Sequence, residues 1–149
     1  MVSHSLARKP EAAATRYSIL YMVREALNPS TPPSRLIAIS RILKGVALTM
    51  VRRYSNIMDN QSVASAIKAV ARAHGVEVSD PPPLREDKLV ASGEELYGEE
   101  AWIAWLQGEM ERREGELVTE YAYRVSVVAS SIIIALTASM LVIVEDEVL

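Results

Sequence analysis

Apolar positions recur at helical spacing along most of the chain, and one stretch is apolar on every side. Val125–Val144, VSVVASSIIIALTASMLVIV, is a run of 20 residues without charge, Gly or Pro, set between Arg124 and Glu145-Asp146-Glu147. A helix needs about 20 apolar residues to cross the hydrocarbon core of a bilayer, so the run meets the length of a span. An all-round apolar helix equally suits burial by neighbouring copies of the chain. Ser131, Ala135 and Ser139 recur every fourth residue and line one face on which another backbone can approach, which makes them the candidate self-association or membrane-packing positions. The β-branched ends of the run favour strand, but Ser131–Ala138 holds no turn signal, so helix is the expectation.

Upstream the pattern predicts three helices. Residues 1–10 read as a basic arm. From Glu11, Ala13, Tyr17, Leu20, Tyr21 and Leu27 fall at helical spacing, and Asn28-Pro29-Ser30-Thr31-Pro32-Pro33 stops that helix. The second runs from about Ser34 to Met58, capped by Thr31 or Ser34. Its apolar face is Leu36, Ile39, Ile42, Leu43, Val46, Ala47, Met50, Tyr54 and Ile57. Arg41, Lys44 and Arg52 lie opposite, with Arg35 and Arg53 at the margin, and no acid interrupts Arg35–Met58. Asp59 or Asn60 caps a third helix, Gln61–His74, with Val63, Ile67, Val70 and Ala71 inward and Gly75 as terminator. Residues 79–84 are a Pro-rich spacer.

Beyond the spacer the pattern predicts a short helix over Arg85–Ala91, a capping box at Ser92 and Glu95, and a helix with Trp102, Trp105, Leu106, Met110, Leu117 and Tyr121 inward. Helix unbroken from Glu99 to Asp146 would be roughly 70 Å long. It must therefore bend near Gly108 or Gly115, or project from the fold. The fold class expected is all-α: a bundle of four to five helices with a long, highly apolar C-terminal one. A basic three-helix region over residues 11–78 precedes the spacer, and an acidic, then apolar region over 85–149 follows it.

A chain of 149 residues suits one domain. It has no Cys, which excludes disulfides, thiolate catalysis and Cys-based metal sites, and only two His, which excludes most His clusters. Scarce Asn and Gln fit a heat-adapted source. The N-terminal residues lack the apolar core of a secretory signal, so export by that route is not expected. The glycines form no phosphate-binding loop. His74 suits packing or helix capping, and Glu109–Arg113, Arg112–Glu116 and Glu120–Arg124 have the spacing of solvated ion pairs rather than of a metal site. No catalytic residue, metal, cofactor or small-molecule substrate is indicated.

Charge changes the picture most. Residues 1–86 hold twelve Lys and Arg against six Asp and Glu, whereas residues 87–149 hold four against thirteen. Such asymmetry suits a chain whose basic half faces a polyanion. Candidate phosphate contacts are Arg8, Lys9, Arg16, Arg35, Arg41, Lys44, Arg52, Arg53, Lys68 and Arg72, with Arg24 on the first helix. Tyr17, Tyr21 and Tyr54 are expected in the core, so binding would follow the backbone without reading bases.

Basic N-terminal helices ahead of an apolar C-terminal helix resemble, in layout, the coat proteins of archaeal filamentous viruses, small helical proteins that wrap DNA. That likeness implies a non-enzymatic, nucleic-acid-coating protein of a filament or virion that self-associates through its apolar helix. The alternative is a tail-anchored membrane protein with a cytoplasmic helical domain, in which Arg124 and the basic half obey the positive-inside tendency. A third reading is a small helical subunit of a ribonucleoprotein complex.

Overall fold

The computed structural model describes residues 18–55, 59–82, 88–91 and 94–148. The expected arm, the start of the first helix, Ile57 and Met58 of the second, Arg85–Asp87 and Ser92 lie outside them. The described residues form five helices and one short hairpin. Helix α1 covers 18–27, α2 Pro33–Tyr54, α3 Asn60–Ala73, α4 Gly98–Glu109 and α5 Val118–Val148, with β1 Lys88–Ala91 and β2 Glu94–Tyr97 between α3 and α4. The all-α expectation holds at the level of the fold. The hairpin replaces the short helix and the capping box: Lys88 pairs with Tyr97 and Ala91 with Glu94, so residues 88–91 are extended.

Sequence sets the ends of the upstream helices. Between α1 and α2, Asn28 Oδ1 accepts from the Ser30 N–H at 2.9 Å, and the Thr31 hydroxyl donates to the Glu25 carbonyl at 2.6 Å. Thr31 therefore satisfies the end of α1 rather than capping α2. The N-cap of α2 is Pro32, with Pro33 in the first turn, where a missing N–H costs nothing. Asp59 occupies the N-cap of α3. At the other end, the Val76 N–H bonds to Ala71 O and the Gly75 N–H to Arg72 O, with Gly75 at φ +77. This is a Schellman motif, sealed by Ala71 and Val76, both buried.

The long apolar C-terminal helix is present as α5, and of the two outcomes expected for the stretch before it the chain takes the bend, at Gly115. Met110–Leu117 form a loop with Gly115 at φ +76, and the chain folds back, so that α5 runs through the centre of the bundle against α2 and α3. Leu117, expected inward, is 62% exposed because it lies in this loop. The core joins Leu36, Ile39, Leu43 and Ala47 of α2, Val63 and Ile67 of α3, Trp102 and Leu106 of α4, and Val125 to Leu136 of α5. Trp102 packs edge-on to Trp105 at 5.3 Å and donates its indole N–H to Asn60 Oδ1 and Pro82 O. The Pro-rich spacer is thus held against α4 through its own backbone.

Most of the apolar run is consequently buried within its own chain. Val118–Met140 is long and apolar enough to cross a membrane, yet 67% of an 18-residue window within it, of mean hydropathy 1.5, is inside the bundle. Burying aliphatic side chains such as Ile132 and Leu136 contributes about 1.5–3 kcal/mol each. Thr137 and Ala138 are exposed, and Ser139 and Met140 are half-buried.

Candidate nucleic-acid interface

Three faces divide α2. Leu36, Ile39, Ser40, Leu43, Ala47 and Val51 enter the core. Ile42, expected among them, is 49% exposed, and Val46, Met50 and Tyr54 are only half-buried. The true inward face is rotated toward Ser40 and Val51, because α5 packs on that side. The third face carries Arg41, Lys44 and Arg52. Over 11 residues at about 1.5 Å rise each, these cations span roughly 16 Å of helix.

Pairing separates the basic residues into two groups. Arg35 forms a two-pronged bond to Glu25, Nε to Oε2 and Nη2 to Oε1, each at 2.8 Å. That contact holds the Glu25 carboxyl below its ordinary range and raises Arg35, and it ties α1 to α2. Lys68 pairs with Asp80, and Arg72 lies 3.9 Å from Glu77. By contrast, among the described residues Arg41, Lys44, Arg52 and Arg53 face no carboxylate within ion-pair distance. Arg41, Arg52 and Arg53 are exposed and Lys44 half-buried. Arg41 and Lys44 also border a cleft of about 270 Å³ between α2 and the start of α5, lined by Val118 and Tyr121. Of the other candidates, Arg24 is exposed, and Arg8, Lys9 and Arg16 lie outside the described residues.

Two expectations for side chains near this surface are corrected. Tyr21 is 62% exposed, beside Ser18, Met22 and Arg35, where core burial was expected. An apolar face turned to solvent at one position of an amphipathic helix has no local sequence signal. Tyr54 is half-buried, and Tyr17 is outside the described residues.

The candidate self-association face is placed largely inside the chain. Ser131 and Ala135 are buried, the Ser131 hydroxyl bonds back to Val127 O at 2.7 Å, and Ser139 is half-buried. The small residues thus admit α2 and α3 of the same chain. Arg124, at the head of the apolar run, is turned inward as well. It is buried, and it bonds Glu116 through Nε at 2.8 Å and Nη2 at 2.9 Å while donating to the carbonyls of Glu109 and Glu111. The expected Glu120–Arg124 pair is replaced by this longer-range one, and Arg112 meets the Glu116 carbonyl rather than its carboxylate. Glu109 and Arg113 keep their spacing at 4.0 Å. His74 is the C-cap of α3, and its carbonyl accepts from the Tyr123 hydroxyl at 2.7 Å.

Missed by the pattern was a groove of about 710 Å³ between α1, α2 and α5, lined mostly by aliphatic side chains. Its signal was present as the excess width of the apolar face assigned to α2. Compared with known proteins, the chain matches no family model, no curated protein and no solved structure.

Proposed function

We propose that this chain is a non-enzymatic assembly protein that coats nucleic acid, laying the Arg41–Lys44–Arg52 face of α2 along the phosphate backbone. The observation that carries this reading is the contrast in pairing. Arg35, Lys68 and Arg72 are engaged by carboxylates of the fold, whereas Arg41, Lys44 and Arg52 have no carboxylate within ion-pair distance among the described residues. Guanidinium groups suit bidentate contact with phosphates. Nothing in the arrangement favours base reading, so recognition is of charge and shape. Such a protein fits the coat of a virion or a cytoplasmic filament.

The test is titration of the full chain against labelled duplex DNA and single-stranded RNA. Binding in dilute buffer that weakens steeply with added salt supports the reading. A stoichiometric mixture that shows no binding to either overturns it.

A membrane anchor is favoured by the length and hydropathy of α5 alone. It requires α5 to leave the bundle and strip cover from Ile39, Leu43 and Ile67, each worth about 1.5–3 kcal/mol. Resistance of the protein to carbonate extraction from membranes would favour this second reading.

A further inference from the structure

The cleft between α2 and the start of α5 holds more than charge. Its volume is about 270 Å³, and it joins apolar walls from Ile37, Val118 and Val125 to one aromatic side chain, Tyr121, and two cations, Arg41 and Lys44. Among the described residues no carboxylate lines it. Val118 is 49% exposed, so an apolar wall of the cleft stays open to solvent. Arg52 lies outside it.

Tyr121 is held in place by its neighbours. The Arg124 guanidinium carbon sits 5.7 Å from the centre of its ring. That guanidinium is itself fixed by the Glu116 carboxylate and the Glu109 and Glu111 carbonyls. A ring set against an immobilised group loses little freedom when a ligand meets it, which favours binding.

Apolar walls, a fixed aromatic ring and a pair of cations match the parts of one nucleotide, a flat base joined to a phosphate. The volume falls just below the roughly 300–1,000 Å³ of sites for drug-sized ligands, so it admits one base and not a stack. Duplex DNA keeps its bases paired inside and could offer the cleft only phosphate. A single strand can turn a base outward. We infer that the cleft takes one nucleotide unit of a single strand, its base against Tyr121 and its phosphate on Arg41 and Lys44. Stacking on an aromatic ring tolerates every base, so no sequence is read. The inference rests on the α2 face meeting nucleic acid and adds which form of it is bound.

Fluorescence anisotropy of the full chain with labelled oligothymidylate, and with a duplex of equal length in the same dilute buffer, tests it. The single strand should bind about tenfold more tightly. Tyr121→Leu keeps apolar bulk but removes the aromatic face, and should weaken the single strand about tenfold while leaving the duplex unchanged. Tyr121→Phe should retain the affinity for both. Val118→Glu, at a half-exposed position in the first turn of α5, sets a carboxylate beside the two cations and should weaken the single strand without touching Tyr121. Equal wild-type affinity for the two forms overturns the inference, as does a Tyr121→Leu chain that weakens both alike. Duplex binding indifferent to Tyr121 leaves the α2 reading standing and removes this one alone, whereas no binding to either form removes both. Competition with adenosine monophosphate separates the two sources of a nucleotide. Failure to displace the strand except in large excess supports the strand, and displacement at equal concentration assigns the cleft to a free nucleotide and overturns the strand as its occupant.

Discussion

Arg124 closes on Glu116 across the α4–α5 turn, Nε to Oε2 at 2.8 Å and Nη2 to Oε1 at 2.9 Å, with both side chains about nine-tenths buried. The same guanidinium reaches the Glu109 and Glu111 carbonyls, groups that the end of α4 leaves without helical partners. One residue of α5 thus fixes the direction in which the chain folds back. Arg124→Met should destabilise the protein by roughly 3–5 kcal/mol, because the Glu116 carboxylate stays buried without a counter-charge. Glu116→Gln retains an acceptor and should cost less, about 1.5–3 kcal/mol. Urea unfolding followed by circular dichroism reads both, and a cost near zero for Arg124→Met would remove the clamp from the account of the turn.

The same pair sets an acid dependence. Its hydrogen bonds to Arg124 hold the Glu116 carboxyl at about 2 against an ordinary 4.5. Since the folded value lies below the unfolded one, the stabilisation is complete above about pH 4.5 and is lost as pH falls through the folded value near 2. The stability gap between wild type and Glu116→Gln should be full at pH 6 and shrink steadily from pH 4.5 toward pH 2. A gap independent of pH would contradict the assignment.

Ser126 and Ser130 bury their hydroxyls in α5 without a partner among the described residues. An unsatisfied buried hydroxyl costs about 1–3 kcal/mol, and alanine removes it with little loss of volume. Ser126→Ala and Ser130→Ala should therefore each raise the thermal midpoint, by several degrees together. Ser131→Ala is the contrast, because its hydroxyl is bonded to Val127 O and its removal should change little. A fall in midpoint for Ser126→Ala or Ser130→Ala would mean that these hydroxyls find partners in solution.

Gly75 and Gly115 sit at φ +77 and +76, and a methyl group at either position would meet no neighbour. The cost of substitution is then backbone strain alone. Gly75→Ala and Gly115→Ala should each destabilise by about 1–2 kcal/mol, and asparagine at the same positions by less. Equal losses for Ala and Asn would point to a cause other than φ.

How far the sequence could be read depended on where each determinant sits. Helix α3 was legible because everything that defines it is local: Asp59 at the start, Val63-Ile67-Ala71 inward, Gly75 at the end. The hairpin was missed although Ser92-Gly93 is a turn signal, because the short flanking runs also fit helical spacing. Leu89 opposite Leu96 is a pairing that helical counting does not test. The break between α4 and α5 was foreseeable from Gly115, but its direction depends on Arg124 reaching back to Glu109, fifteen residues away. Whether Val125–Leu136 would be covered by lipid, by copies or by its own chain was beyond periodicity, since an all-round apolar helix carries no mark of its neighbour. On α2 the cations were visible, but which of them would be neutralised was not, because Glu25, Glu77 and Asp80 come from other segments.

That partition yields the last prediction. Each phosphate neutralised contributes about −0.9 to the slope of log K against log salt on duplex DNA. If Arg41, Lys44 and Arg52 lie along the backbone, the triple variant Arg41→Gln/Lys44→Gln/Arg52→Gln should flatten that slope by about 2–3 and weaken binding to all sequences alike. Lys68→Gln/Arg72→Gln removes nearly as much charge from positions already engaged by Asp80 and Glu77, so its slope should change by less than about 1. Net charge alone cannot separate the two variants by this margin, whereas a line of cations on one helix face does. Equal flattening in both would assign the affinity to the overall charge of the basic half and withdraw the α2 face as its specific seat.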